Sequence, residues 1–157
     1  MKKPALIAVA MLAGLLTAGI SVQVFSHCQI PCGIYDDEAR FNEMHEHITT
    51  IEKSMNLIQE LSAEPQKNYN QIVRWVNNKD DHAEKLTHIV TYYFMAQRVA
   101  PADESDADAY EAYTNDVVLL HKMVYEAMKC KQTVDLQHVE NLHDLVEEYR
   151  EAYFSEE

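Results

Sequence analysis

After Gly33 the chain contains no glycine, and its only prolines there are Pro65 and Pro101. A backbone with so few breakers has little means of making tight left-handed turns or kinks, so it favours long helices. The apolar spacing agrees. Phe41, Met44, Ile48, Ile51, Met55 and Ile58 recur at alternating intervals of three and four, which predicts one buried stripe on a helix over 37–62, ended by Pro65. Ile72, Val76, Ala83, Leu86, Val90 and Tyr93 mark a second helix that ends before Pro101, with the polar Lys79 in a gap of the stripe. The acidic run Asp103-Glu104-Ser105-Asp106 suits the positive end of a helix dipole. Tyr110, Tyr113, Val117, Leu120, Val124 and Ala127 follow it as a third stripe, and Val139, Leu142, Val146, Tyr149 and Tyr153 form a fourth. Short connections between four such helices imply antiparallel neighbours. The expected fold is all-α, an up-down antiparallel four-helix bundle.

The first residues read differently. Met1-Lys2-Lys3 is followed by an uncharged, mostly apolar run from Ala5 to Phe25. A basic tip, an apolar stretch and a small residue at Ser26 describe a signal peptide or propeptide over 1–26, cut between Ser26 and His27 by a signal peptidase or maturation protease. The same run is long enough to span a bilayer, so retention makes it an anchor. Cleavage is the favoured reading. It divides the chain into a leader (1–26), a short irregular segment (27–35) and the helical body (36–157), and it makes the product exported, periplasmic or otherwise extracytoplasmic.

Charge narrows the partners. The formal net charge is −13, and loss of Lys2 and Lys3 takes it to −15. So acidic a body repels nucleic acid and anionic membrane surfaces, which argues against either as a partner of the mature chain. The three cysteines, Cys28, Cys32 and Cys130, cannot form a full intrachain disulfide framework. Cys28 and Cys32 are near enough to pair in an oxidising compartment, while Cys130 reads as a helix-end thiol with a packing role. Nine tyrosines fit either a core or a subunit interface, so oligomerisation is plausible from composition.

The informative segment is His27-Cys28-Gln29-Ile30-Pro31-Cys32-Gly33-Ile34-Tyr35. Cleavage after Ser26 would give His27 a free amine. The segment then offers that amine, the His27 imidazole, the Cys28 amide nitrogen and two thiolates. The amine, the Cys28 amide and the Cys28 sulfur make fused chelate rings, and the Cys32 sulfur supplies a fourth donor. Pro31 stiffens the turn and Gly33 lets the backbone leave it. A planar set of two nitrogens and two sulfurs suits Ni(II) or Cu(II), whereas Zn(II) prefers a tetrahedron. Thiolate and deprotonated amide also stabilise a higher oxidation state, and the imidazole is available as an axial fifth donor.

The pattern His-Cys-x-x-Pro-Cys-Gly-x-Tyr ahead of four helices resembles the nickel superoxide dismutase family. The resemblance implies that His27, Cys28 and Cys32 hold one nickel ion per subunit. It implies an enzyme that disproportionates superoxide to O2 and H2O2 by Ni(II)/Ni(III) cycling, and assembly as a homohexamer. By the same resemblance Tyr35 screens the open face of the metal, Glu43 hydrogen-bonds the axial imidazole, and Tyr93 is a second site tyrosine. The arginine that supports the acid in the family aligns with His82, so Arg74 is the substitute considered. Gln29 stands where family members often carry Asp, and the leader resembles an export signal more than the short leader of many members. An acidic body does not draw in an anionic substrate at long range, so local Lys and Arg would have to shape the field near the metal.

Other patterns carry less. Glu140-x-x-His143 is the unit used by di-iron bundles, which need two such pairs, and no second pair is present. In His45-Glu46-His47 the two histidines are two residues apart on a helix and point in different directions. The alternative function from another class is an exported metal carrier or thiol-disulfide module using Cys28 and Cys32.

Overall fold

The computed structural model describes residues 33–155. Within them the chain forms α1 (Asp37–Leu61), α2 (Pro65–His88), a π-helical continuation of α2 (Ile89–Arg98), α3 (Ala107–Gln132) and α4 (Leu136–Ser155). Helix α1 packs on α2 and α4, α2 on α3, and α3 on α4, the neighbour pattern of the expected four-helix bundle. No helix among the described residues is long and apolar enough to cross a membrane. The expected leader, the expected 26/27 cleavage and the expected metal ligands His27, Cys28 and Cys32 lie outside the described residues.

Helix ends follow local chemistry. The Asp36 carboxylate accepts the Ala39 N–H at 3.1 Å and caps α1, whose first turn adds Asp37 and Glu38 near the positive end of the dipole. Asp106 caps α3 in the same way, accepting the Ala109 N–H at 3.2 Å. Pro65 stops α1 by opening α2, at a first-turn position where its missing N–H costs nothing.

All six residues of the α1 stripe, from Phe41 to Ile58, are buried. They meet Ala83 and Leu86 of α2, Val90 and Phe94 of its π-helical continuation, Leu120 and Met123 of α3, and Leu142, Val146 and Tyr149 of α4. Each fully buried side chain of this size contributes about 1.5–3 kcal/mol. On α3 the fully buried set is Leu119, Leu120, Met123, Ala127 and Cys130, while Tyr110, Tyr113, Val117 and Val124 are half-buried at its flank. Cys130 has the expected packing role, and burial pushes its thiol up to about 12.

Lys79 fills the polar gap between Val76 and Ala83 in the α2 stripe and is 2% exposed. Its ammonium donates to the carbonyls of Cys130 and of Lys131 (2.8 Å), and to Asp80 Oδ1 at 3.0 Å. Those carbonyls belong to the last turn of α3, where no intrahelical donor remains, so a cation is the natural partner. The charge is buried because the end of a neighbouring helix needs it.

Candidate functional site

The chain emerges from the short N-terminal segment at Gly33, which adopts φ +72°. A Cβ there would meet nothing within 4 Å, so it is backbone conformation and not space that favours glycine. Two residues later Tyr35 lies over the end of the bundle. The Arg98 guanidinium stacks 4.5 Å from its ring centroid, and Tyr93 meets it edge-on with centroids 6.0 Å apart.

Beneath Tyr35 the first residue of α1 organises three elements. Asp37 Oδ1 accepts the Tyr93 hydroxyl at 2.5 Å, and Asp37 Oδ2 accepts from Arg98 Nη2 at 2.7 Å and from the Tyr153 hydroxyl at 2.8 Å. Arg98 Nε donates to the Tyr153 oxygen at 2.8 Å, and the Asp36 backbone N–H donates to the Tyr93 oxygen at 3.0 Å. The start of α1 is thereby tied to the end of the α2 continuation and to α4.

The acid–base properties follow from this wiring. Burial alone would raise the Asp37 carboxyl. Hydrogen bonds from Tyr93, Tyr153 and Arg98, with the Arg98 charge, outweigh it and hold the group below its ordinary value. Burial and then the neighbouring Asp37 push the hydroxyls of Tyr93 and Tyr153 up to about 12.

The π-helical stretch makes the arrangement geometrically workable. Bonding from residue i to i+5 widens each turn and brings residues five apart nearly into register, whereas in an α-helix they diverge. Val99 N–H to Phe94 O at 3.1 Å is one such bond. Tyr93 and Arg98 are five apart, and both reach Asp37. Just below them Phe41 packs on Phe94, Tyr149 and Phe154 with centroids 4.8, 5.8 and 5.6 Å away, giving the site an aromatic floor.

Glu43 lies one turn further down α1, and its partner is Arg40, with Nη1 to Oε2 at 2.7 Å. The Arg40 guanidinium lies 5.2 Å from the centre of the Tyr93 ring. Arg40, Glu43, Lys85, His88, Tyr92 and Tyr93 line a cavity of about 210 Å³. His82 instead contacts His47, Nδ1 to Nδ1 at 3.0 Å. Arg74 is exposed beside Gln71, Trp75 and Asn78, roughly 16 Å along α2 from Lys85 at 1.5 Å per residue.

Of the sequence-predicted residues within the described range, Tyr35 and Tyr93 are therefore in contact, Glu43 shares a cavity with Tyr93, and Arg74 is not brought to any of them. Asp37, Arg98, Tyr153 and Arg40 were not singled out by the sequence. Arg40 was readable, being three residues before Glu43 on one helix face. Asp37, Arg98 and Tyr153 were not, because only the bundle and its π-helical turn bring them together.

A family model described as nickel-containing superoxide dismutase matches residues 22–157, a span that includes His27 through Tyr35. No curated protein and no solved structure matches the chain.

Proposed function

The chain belongs to the nickel-containing superoxide dismutase family, an oxidoreductase family with nickel as cofactor, and from that premise we propose that its first mature residues form the redox site. In this reading, cleavage after Ser26 releases the His27 amine. That amine, the Cys28 amide nitrogen and the sulfurs of Cys28 and Cys32 would hold the metal, and the His27 ring would be a further donor. The donor chemistry fits nickel, since two nitrogens and two thiolates in one short segment would favour a high oxidation state. Nickel held there supplies the one-electron Ni(II)/Ni(III) couple that disproportionation of superoxide to O2 and H2O2 requires.

The protein's own residues do the rest. Tyr35 screens the open face and orders small molecules there. Arg98 and Tyr93 fix its ring, and Asp37 fixes both of them. With their hydroxyls pushed up to about 12, Tyr93 and Tyr153 keep their protons at neutral pH and act as positioning donors, not as acids. Protons for peroxide reach the site through water beside Tyr35. Glu43, steadied by Arg40, accepts from the His27 ring and so orients it. Arg40 and Arg98 are each paired with a carboxylate, so it is Lys85, lining the same cavity as Arg40, that offers short-range positive charge against the repulsion of superoxide by an acidic chain.

We further propose export, with metal loading of the mature chain, and assembly as a homohexamer. Exposed Val118, Tyr125 and Met128 on α3, with Tyr69 and Val73 on α2, support association between copies.

The observation that carries the reading is the His27–Tyr35 pattern inside the family match. The test is an Ala inserted between Ser26 and His27, followed by N-terminal sequencing and metal analysis. If processing leaves Ala first, the chelate is displaced from His27 while the bundle stays helical. Nickel content and superoxide turnover should then both collapse. Full turnover in that variant, or a native mature chain with a blocked or absent His27 amine, refutes the proposed ligand set.

A further inference from the structure

The geometry points to a second cation site, separate from the N-terminal segment, formed by His45 of α1 with His143 and Glu147 of α4 and suited to a divalent transition ion of the zinc class. Each residue can offer one donor atom, and these three atoms lie within 4.8 Å of one another. Ligands around a tetrahedral ion at about 2.0–2.1 Å are separated by about 3.3 Å, so modest side-chain rotation closes the set. Two imidazoles and one carboxylate with a fourth position open to water is an established zinc donor set.

The placement follows from the helices. His143 and Glu147 are four apart on α4 and therefore share a face one turn apart. His45 reaches them from α1, with Nε2 at 2.7 Å from Glu147 Oε1 and its ring centroid 5.5 Å from that of His143. Asp144 Oδ1 lies 3.5 Å from His143 Nδ1, where a carboxylate raises the basicity of a ligating imidazole. Arg150, one turn on, is paired with Glu38 at 2.8 Å, and its charge still acts on His45 against protonation of the ring. The group is half-open: the side chains of His45, Glu147 and His143 are 27%, 40% and 52% exposed, enough for an ion to enter without disturbing the core. A bound ion would bridge α1 and α4, elements far apart in sequence, so it would act as a clasp on the bundle.

Zinc titration by calorimetry tests this, using the mature chain carrying Cys28→Ser and Cys32→Ser so that the N-terminal thiolates do not compete. One Zn2+ per chain should bind with a micromolar or tighter Kd. His143→Ala or Glu147→Gln in the same background should weaken it on the order of tenfold or more, since even outer-sphere partners of a metal are worth that much. Both substitutions are at partly exposed positions, and unchanged helical circular dichroism would establish that the fold persists. Zinc should also raise the thermal midpoint of the parent and not of the His143→Ala chain, because only an ion that binds the folded state stabilises it. Absence of saturable uptake overturns the site. So does uptake that neither helix substitution alters, which would place the ion elsewhere.

Discussion

The bundle contains two polar nodes that are nearly mirror images in chemistry. At one, the Asp37 carboxylate accepts from three donors: two hydroxyls and a guanidinium. At the other, the Lys79 ammonium donates to three acceptors: two main-chain carbonyls and a carboxylate. They differ in what they serve. Lys79 is sealed in, and what it satisfies is the terminus of α3. Asp37, at a helix start, gathers side chains from a π-helical turn and from α4, and two of its partners also touch Tyr35. A charged group inside a helical bundle is thus not in itself evidence of a functional site. What distinguishes the two nodes is whether the partners go on to contact something beyond the fold.

Substitution should separate them, and the largest effect belongs to the structural node. Lys79→Met keeps a long side chain but leaves the Cys130 and Lys131 carbonyls without their donor. Removing a partner from a buried charged network costs about 3 kcal/mol. Urea unfolding should show that loss, while turnover per bound nickel, measured where the chain stays folded, should be unchanged. Altered turnover per nickel would mean that the two nodes are coupled.

Asp37→Asn should do the reverse. The amide still accepts from a hydroxyl but no longer offsets Arg98, and loss of a partly exposed charge-assisted bond costs about 1–2 kcal/mol. The functional effect should be larger. With Arg98 and Tyr93 no longer fixed, Tyr35 loses its seat, and turnover per nickel should drop about tenfold, as misplacement of a positioned group commonly does. Stopped-flow superoxide decay normalised to nickel content measures it. Unchanged turnover would reduce Asp37 to the same structural role as Lys79.

The difference in what the sequence revealed has the same root. The α1 stripe was legible because burial on a helix follows a local period, and each residue from Phe41 to Ile58 obeys it. The family was legible because the residues that carry the resemblance, His27 to Tyr35, are contiguous. Nothing contiguous announces the Asp37 node, which joins residues 37, 93, 98 and 153, and whose Tyr93–Arg98 pairing depends on a π-helical register that no apolar period encodes. The role of Lys79 was not legible for a related reason: its partners include backbone carbonyls of another helix and leave no trace in residue types. Arg74, weighed as a support for Glu43 against the reading of a surface residue, is exposed and far along α2, while Arg40 was one turn away. His45 and His143 were each weighed within a local motif and set aside, His45 on spacing and His143 for want of a second Glu-x-x-His pair. The grouping with Glu147 runs between helices.

pH sharpens the comparison further. Asp37 has a folded value below its ordinary one, so the stability it contributes is present above about pH 4, the ordinary carboxylate range, and is lost as pH falls toward the folded value. Tyr93 and Tyr153 have raised values. Their contribution is complete below about pH 10 and is lost as pH rises through about 12. The Asp37 node should therefore loosen at both extremes. In Asp37→Asn the acid limb of stability against pH should flatten, and in Lys79→Met it should keep the wild-type slope. Equal slopes in all three proteins would mean that Asp37 is not the group that titrates.

The smallest effect is expected at Gly33→Ala, and it tests which side of the boundary that residue belongs to. Nothing stands where the methyl group would go, so the substitution creates no clash and should leave core packing and the thermal midpoint as they are. What it penalises is φ +72°, at roughly 1 kcal/mol for a residue with a Cβ. If the turn that Gly33 makes is needed to bring Cys32 to the metal, that strain is felt only in the loaded state and weakens nickel affinity about fivefold, the factor that 1 kcal/mol corresponds to. Competition with a chelator of known affinity reads the change directly. A drop in thermal midpoint with affinity unchanged would instead place Gly33 with the Lys79 kind of residue, holding the fold together and taking no part in what the N-terminal segment binds.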